Sequence, residues 1–372
     1  MKNQLKVLFG IPTRHHIEIA VDELVGLENL GFTCDQFPYA AKEGDTSKIG
    51  RLLRVVQNAF KLIFKAHSFK PDIVYINSRF EVLGSTRDFI TIFLFRLFYF
   101  KRVSFIIKSH GSDAEILDSN GFFLKKIVLP FLRNNVAVWL FLSTEERDNI
   151  NKAGYFSKSS ILVTKNVVRI NQFNPDAGFR KKLNIAEDYK ILLFVGRIIK
   201  QKGIHEVIDS FSLIHKKHKT VLIVVGDGNE MQAIKEKVIN YNMSGSVILT
   251  EEFIPETETI KYYANSDILV FPTFYPEGFP MALFNSVAAG LSIVTTPIRA
   301  AKDFLSEPEN CVWVKPQSSE SVFTALDQLL TDKISMEDMR INNKKKAALF
   351  SKEYISGELA TIMKNITVDA NN

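Results

Sequence analysis

The chain has 372 residues, 46% hydrophobic and 24% charged, with a formal net charge of +6. That composition excludes a disordered chain and predicts about two folded domains. Its two cysteines, Cys34 and Cys311, lie far apart, form no CxxC or metal-ligand pattern and point to a reducing compartment.

The opening, MKNQLKVLFGIP, has only a five-residue apolar run before Pro12. It reads as a first strand, Leu5 to Ile11, and is too short for a signal peptide. A helix over Ile17 to Leu30 stops at Gly31, and a basic helix over Ser47 to Phe64 follows. Strands are predicted at Pro71 to Ile76, Val103 to Lys108, Ala137 to Leu142 and Ile161 to Val163. Residues 169–188 are polar, contain Pro175 and Gly178, and read as a linker. A second alternation then begins, with strands at Lys190 to Val195, Thr220 to Val225, Val247 to Leu249, Asp267 to Phe271 and Leu291 to Thr295. The helices between them are read at Gly203 to His215, Glu230 to Ile239 and Thr257 to Ala264. Strands alternating with helices predict α/β domains with parallel sheets.

Charge is uneven. Residues 48–108 hold twelve Lys or Arg against three acids, a net of +9. Within them lies FITIFLFRLFYF, Phe89 to Phe100, about 18 Å as a helix and too short for a bilayer core of about 30 Å. Two readings stand open for it: a buried helix against a sheet, or a basic, aromatic surface on an anionic membrane. Nucleic acid ranks below both, because no binding motif accompanies the charge.

Three segments follow predicted strands of the second half and carry chemistry. Gly196 to Gly203, GRIIKQKG, offers Arg197 and Lys202, a planar fork and a point charge suited to a diphosphate. Gly226-Asp227-Gly228 permits close approach of a ligand or makes a turn. Phe271 to Gly290, FPTFYPEGFPMALFNSVAAG, sets Glu277 in a turn before a helix start. Pro280 has no N–H, which leaves Gly278, Phe279, Met281 and Ala282 as backbone donors. Sheet-end loops of consecutive strands converge on one face, so the three segments are candidates to line one cleft.

Taken together the segments resemble the retaining, nucleotide-sugar-dependent glycosyltransferases of family 4 (glycosyl transferases group 1). FVGRIIKQKG, VVGDGNE and the Glu277 turn are similar to that family's signatures, and KPDIVYINS, IIKSHGSD, FLSTEE and NVVRINQFNP to its first-half segments. The resemblance implies a GT-B fold, α/β, with two Rossmann-like domains facing a central cleft. These would be 1–170, completed by about 352–372 from a last helix crossing back, and 188–351, the nucleotide-sugar domain. It implies that Arg197 and Lys202 hold the donor diphosphate and stabilise the leaving group, the developing charge on which catalysis most depends. Glu277 would accept from the donor sugar's hydroxyls, and His110 would face that sugar from the first domain. Gly10, Gly196, Gly226, Asp227, Gly278, Phe279, Pro280, Met281, Ala282 and Asn285 would complete the donor site. The implied donor is a UDP- or GDP-sugar, with no metal and no cofactor. The implied acceptor is a glycan or lipid-linked glycan at the cytoplasmic membrane face.

The departures are specific. The family pairs two glutamates eight positions apart, and the second holds the nucleotide ribose; here that position is Asn285. Asn exchanges hydrogen bonds with hydroxyls but lacks the charge-assisted bond. GIPTRHHIEIA lacks the usual double glycine and carries His15 and His16 as loop or acceptor contacts. Asn166-Val167 stands where Asn-Gly is common, and IRAAKD (298–303) lacks a glycine pair. An inactive nucleotide-sugar-binding scaffold and a sugar-nucleotide epimerase on the same fold are the alternatives.

Overall fold

A computed structural model describes residues 4–13, 16–39, 47–112, 121–154, 156, 161–332 and 334–369. Contacts divide the chain into two units, Met1–Val167 with Lys352–Asn372, and Val168–Ser351.

The first unit holds a six-stranded sheet with every pair parallel: β1 (Lys6–Ile11), β2 (Thr33–Pro38), β3 (Ile73–Phe80), β4 (Ser104–Ser112), β5 (Val136–Phe141) and β6 (Ile161–Val163). Their order is β2-β1-β3-β4-β5-β6, so the direction of winding reverses between β1 and β3. The sequence pattern does not announce β2, because Thr33, Asp35 and Gln36 interrupt any apolar run; pairing with β1 makes it a strand. β4 runs past Lys108 to Ser112 and therefore carries His110 within it.

Helix α1 (Ile17–Asn29) and the C-terminal helix, Lys352–Asp369, cover one face of this sheet. Leu27, Ile355, Leu359 and Met363 pack there with Val7, Phe9 and Tyr75. The other face is covered by α2 (Lys48–Phe69) and α3 (Val82–Phe98). Ser47 caps α2 by accepting the Gly50 N–H, and Lys70, at φ 56°, ends it before Pro71. The apolar run at 89–100 is neither wholly buried nor a clean stripe. Ile92 and Phe95 enter the core, while Phe93, Leu97, Phe98 and Phe100 stay exposed.

Beneath the carboxyl end of β4 a charge lies in the core. Lys108 Nζ pairs with the Glu23 carboxylate of α1, and both side chains are 0% exposed. Tyr75 donates to Glu23 at 3.0 Å and Lys108 donates to the Lys165 carbonyl at 2.9 Å. Lys108 was one of the twelve cations behind the +9 segment; folding withdraws it from the surface.

The second unit holds another all-parallel six-stranded sheet: β7 (Lys190–Val195), β8 (Thr220–Val225), β9 (Val247–Leu249), β10 (Ile268–Phe271), β11 (Ser292–Thr295) and β12 (Val312–Trp313). The order β12-β11-β10-β7-β8-β9 reverses between β7 and β10. Residues 169–188 lie in this unit, turn through a short helix at Phe179–Lys182, and are held by Arg180, which donates to the Ala186 and Tyr189 carbonyls.

Candidate active site

In a doubly wound sheet the loops at the carboxyl ends of the strands flanking the reversal part to opposite faces and leave a crevice. In the second unit those are the loops after β7 and β10, which carry Arg197, Lys202 and Glu277. Hydrogen bonds tie one loop to the other. The Gln201 carbonyl accepts the N–H of Phe274 (2.9 Å) and of Tyr275 (3.0 Å). Thr296 Oγ1 donates to the Thr273 carbonyl, and Arg299 Nη1 to the Pro276 carbonyl at 2.6 Å. The turn before Glu277 is thus fixed from two sides.

Its consequence is an ion pair. Lys202 Nζ and Glu277 Oε1 are paired, with side chains 5% and 23% exposed. Burial, and then the charge of Arg197, pushes the Lys202 ammonium down to about 7; the carboxylate against it favours the charged form. The Tyr275 ring centre lies 5.2 Å from the Arg197 guanidinium and 5.4 Å from Lys202 Nζ, and the Phe271 ring 5.2 Å from Lys202. Two cations that share one ring, Arg197 exposed and Lys202 buried, with a carboxylate paired to Lys202, suit a ligand carrying more than one negative charge and several hydroxyls.

Next to them is a cavity of about 500 Å³. Gly196, Arg197, Gly226, Asp227 and Gly228 line it from the sheet ends, Phe253, Ile254, Glu256, Thr259 and Tyr263 from the segment after β9, and Met281, Ala282 and Asn285 from the helix Met281–Ala289. Gly226, at φ 137°, is required: a Cβ there would collide with the Gly196 carbonyl oxygen. Met281 and Ala282 are the first residues of their helix, where N–H groups have no partner inside the helix and the dipole favours an anion. Asn285 is 4% exposed.

Of the residues expected from sequence, Gly196, Arg197, Gly226, Asp227, Met281, Ala282 and Asn285 line this one cavity, and Lys202 and Glu277 are joined to Arg197 through Tyr275. Gly278 is buried in the turn and Pro280 is the N-cap of the helix. The Phe279 side chain belongs to the core, stacked on Phe284 at 3.7 Å and edge-on to Phe304 and Phe350. Tyr275, Glu256, Tyr263 and Phe253 were not singled out in the sequence. The signal for two of them was the spacing of 256, 259 and 263, one helical face.

Gly10 and His110 come together in the first unit, at its own reversal between β1 and β3. Asn77 bridges them: its Nδ2 donates to the Gly10 carbonyl at 3.3 Å, which turns its Oδ1 to His110 Nε2 at 2.7 Å. His110 Nε2 therefore carries the proton and Nδ1 the lone pair. Nδ1 is buried without a hydrogen-bond partner. Burial, then the charges of His16, Lys108 and Arg79, hold the imidazole well below its usual range, so it is neutral. The His16 ring stacks on it, centroids 4.4 Å apart. His15 lies outside the described residues. Among the described residues no group of three or more His, Cys, Asp or Glu could hold a metal ion.

Comparison with known proteins bears on the second unit first. Residues 176–346 match the family of glycosyl transferases group 1. Over 168 residues the chain is 27% identical to an uncharacterized glycosyltransferase of Methanocaldococcus jannaschii, covering 45% of this chain and 42% of that protein, under half its length. Over 322 residues it is 25% identical to the capsular polysaccharide biosynthesis glycosyltransferase CapM of Staphylococcus aureus, covering 82% and 80%. In three dimensions it resembles a glycosyltransferase from Rickettsia africae (TM-score 0.78, 15% identity, 98% and 99% covered). It also resembles Anabaena HepE, solved in complex with UDP and glucose (TM-score 0.73, 16% identity, 97% and 100% covered). At these identities the structural likeness is one of fold: two parallel-sheet Rossmann-like units in the GT-B arrangement of elements.

Proposed function

We propose that this chain is a retaining glycosyltransferase that moves a sugar from a UDP- or GDP-sugar to a hydroxyl of a glycan or lipid-linked glycan. The observation that carries the reading is the joining of Arg197, Lys202 and Glu277 beside a glycine-floored cavity at the sheet's reversal point. In the transfer, the bond from the sugar's anomeric carbon to the diphosphate oxygen breaks. A bond to the acceptor oxygen forms, and the acceptor's proton leaves with the diphosphate. Arg197 and Lys202 meet the charge that grows on the departing diphosphate. Glu277 accepts from sugar hydroxyls once the diphosphate has taken over Lys202. A role for His110 toward the sugar rests on the family resemblance. The names of CapM and of HepE's ligands support the class of acceptor and donor. Retention of configuration rests on the family resemblance.

A thermal-shift screen with UDP, GDP and their sugars identifies the donor, since a ligand of the native state raises its stability. Turnover with that donor, and the anomeric configuration of the product by NMR, then test the reaction. Inversion would remove the retaining assignment. Asn285 favours a second reading, a nucleotide-sugar binder without turnover; binding with no transfer or hydrolysis of any donor would establish it.

Attachment to an anionic membrane face is part of the same proposal. Ile49, Leu52, Leu53 and Phe64 of α2 are exposed, as are Phe93, Leu97 and Phe98 of α3 and Phe100 beyond it, with Phe60 and Phe98 in ring contact. Arg51, Lys61, Lys101 and Arg102 are exposed on the same segments. Among the described residues no helix is long and apolar enough to cross a membrane. Such a surface binds by shallow insertion and charge. Co-sedimentation with phosphatidylglycerol vesicles should fall as salt rises, and no binding at low salt would remove this part.

A further inference from the structure

Arg197 and Lys202 are held in different ways. Lys202 is buried and paired with Glu277. Arg197 is exposed, and among the described residues its guanidinium makes no salt bridge or hydrogen bond. Its contact is with the Tyr275 ring, whose centre lies 5.2 Å away. An arginine without an anchor samples many rotamers, and ordering it on binding costs affinity. Arg197 also repels its neighbour, since its charge is one reason the Lys202 ammonium is depressed. Without a restraint the guanidinium would turn away from Lys202 into solvent.

Tyr275 opposes both tendencies. Its ring centre is 5.2 Å from Arg197 and 5.4 Å from Lys202 Nζ, inside the about 6 Å over which a ring face attracts a cation. The Phe271 ring reaches Lys202, at 5.2 Å, so among the described residues Tyr275 is the ring that the two cations share. The place of Tyr275 is fixed through its backbone. Its N–H donates to the Gln201 carbonyl at 3.0 Å and to Thr273 Oγ1 at 3.2 Å. Thr273 Oγ1 donates to the same carbonyl at 3.3 Å. Gln201 precedes Lys202 in the turn Lys200–Lys202. The ring that holds Arg197 is therefore tied to the turn that bears Lys202.

Resting on the nucleotide-sugar reading above, we propose that Tyr275 is a positioning residue that keeps Arg197 at the side of Lys202 before a ligand arrives, so that both cations meet one diphosphate. A planar fork and a point charge then bind adjacent phosphoryl groups with little ordering left to do. A monophosphate engages fewer of these contacts, so the ring adds selectivity for diphosphates.

Calorimetry with UDP and GDP beside UMP and GMP tests this. The wild-type protein should favour the diphosphate by about tenfold or more. Tyr275→Leu should cut that preference by about three- to tenfold, and Tyr275→Phe, which keeps the ring, should retain it. A merely structural role would weaken mono- and diphosphates alike. Because Tyr275 acts through Arg197, Tyr275→Leu should add little to the loss already caused by Arg197→Ala. An undiminished preference in Tyr275→Leu overturns the assignment, as do a Tyr275→Phe variant as weak as Tyr275→Leu and fully additive losses in the double variant. Equal affinity of the wild type for UDP and UMP, and for GDP and GMP, overturns it while leaving the nucleotide reading in place. Failure of all four nucleotides to bind the wild type overturns the nucleotide reading itself, and this inference with it.

Discussion

The ammonium of Lys202 and the carboxylate of Glu277 are paired in a site where both are mostly shielded from water. They come from loops after different strands, and the Gln201 carbonyl that binds Phe274 and Tyr275 holds the two loops together. Because each residue balances the other, each has a role before a ligand arrives and another after it.

Removal of either should therefore be costly in catalysis. Lys202→Ala should lower kcat by about 100- to 1000-fold, the loss expected when one group stabilising developing charge is removed. Glu277→Ala should lower kcat and raise KM for the donor, since it contacts the sugar. The double variant should cost less than the product of the two, because touching residues are coupled. Steady-state kinetics with the identified donor decide; wild-type rates in Lys202→Ala and Arg197→Ala would sink the site.

Lys202 also predicts a pH dependence. Its pKa in the free protein is depressed from 10.5 to about 7, and a bound diphosphate pushes it back up. The charged ammonium is the binding form, so affinity is full below the depressed value and is lost as pH rises through it. Calorimetric titration of UDP or GDP from about pH 7 to about pH 9 checks this. The slope should vanish in Lys202→Met and persist in the wild type; a flat wild-type profile would remove the depressed lysine from binding.

Gly226→Ala should separate fold from function. The added Cβ strikes the Gly196 carbonyl, and the residue must hold φ 137°. Local strain of about 1–3 kcal/mol falls on the cavity floor. Nucleoside diphosphate binding should weaken by about tenfold or more, with the far-ultraviolet circular dichroism of the wild type. Wild-type affinity would show that the floor is not a binding surface.

In the first unit, Lys108→Met should be severely destabilising, by about 3–5 kcal/mol, because it leaves the buried Glu23 carboxylate without its counter-ion. Glu23→Gln together with Lys108→Met should recover much of that loss. Urea unfolding measures both. A single variant as stable as the wild type would mean that water reaches the pair.

The α/β class and most strands were legible from the sequence because apolar runs such as Ile191–Val195 and Val221–Val225 are buried on both faces of a parallel sheet. The polar edge strand Thr33–Pro38 was not, since only its pairing with Lys6–Ile11 makes it a strand. Arg197, Lys202 and Glu277 could be picked out by residue type and turn context, and Asn285 as a departure from its family's pattern. Tyr275 between the two cations, Asn77 setting the His110 tautomer, and Lys108 leaving the surface for Glu23 could not be. Local pattern determines which segments form strands, helices and turns. Which charges meet, which are buried and which proton a histidine keeps are decided by neighbours far away in the chain, and only the tertiary structure brings those neighbours within hydrogen-bonding distance.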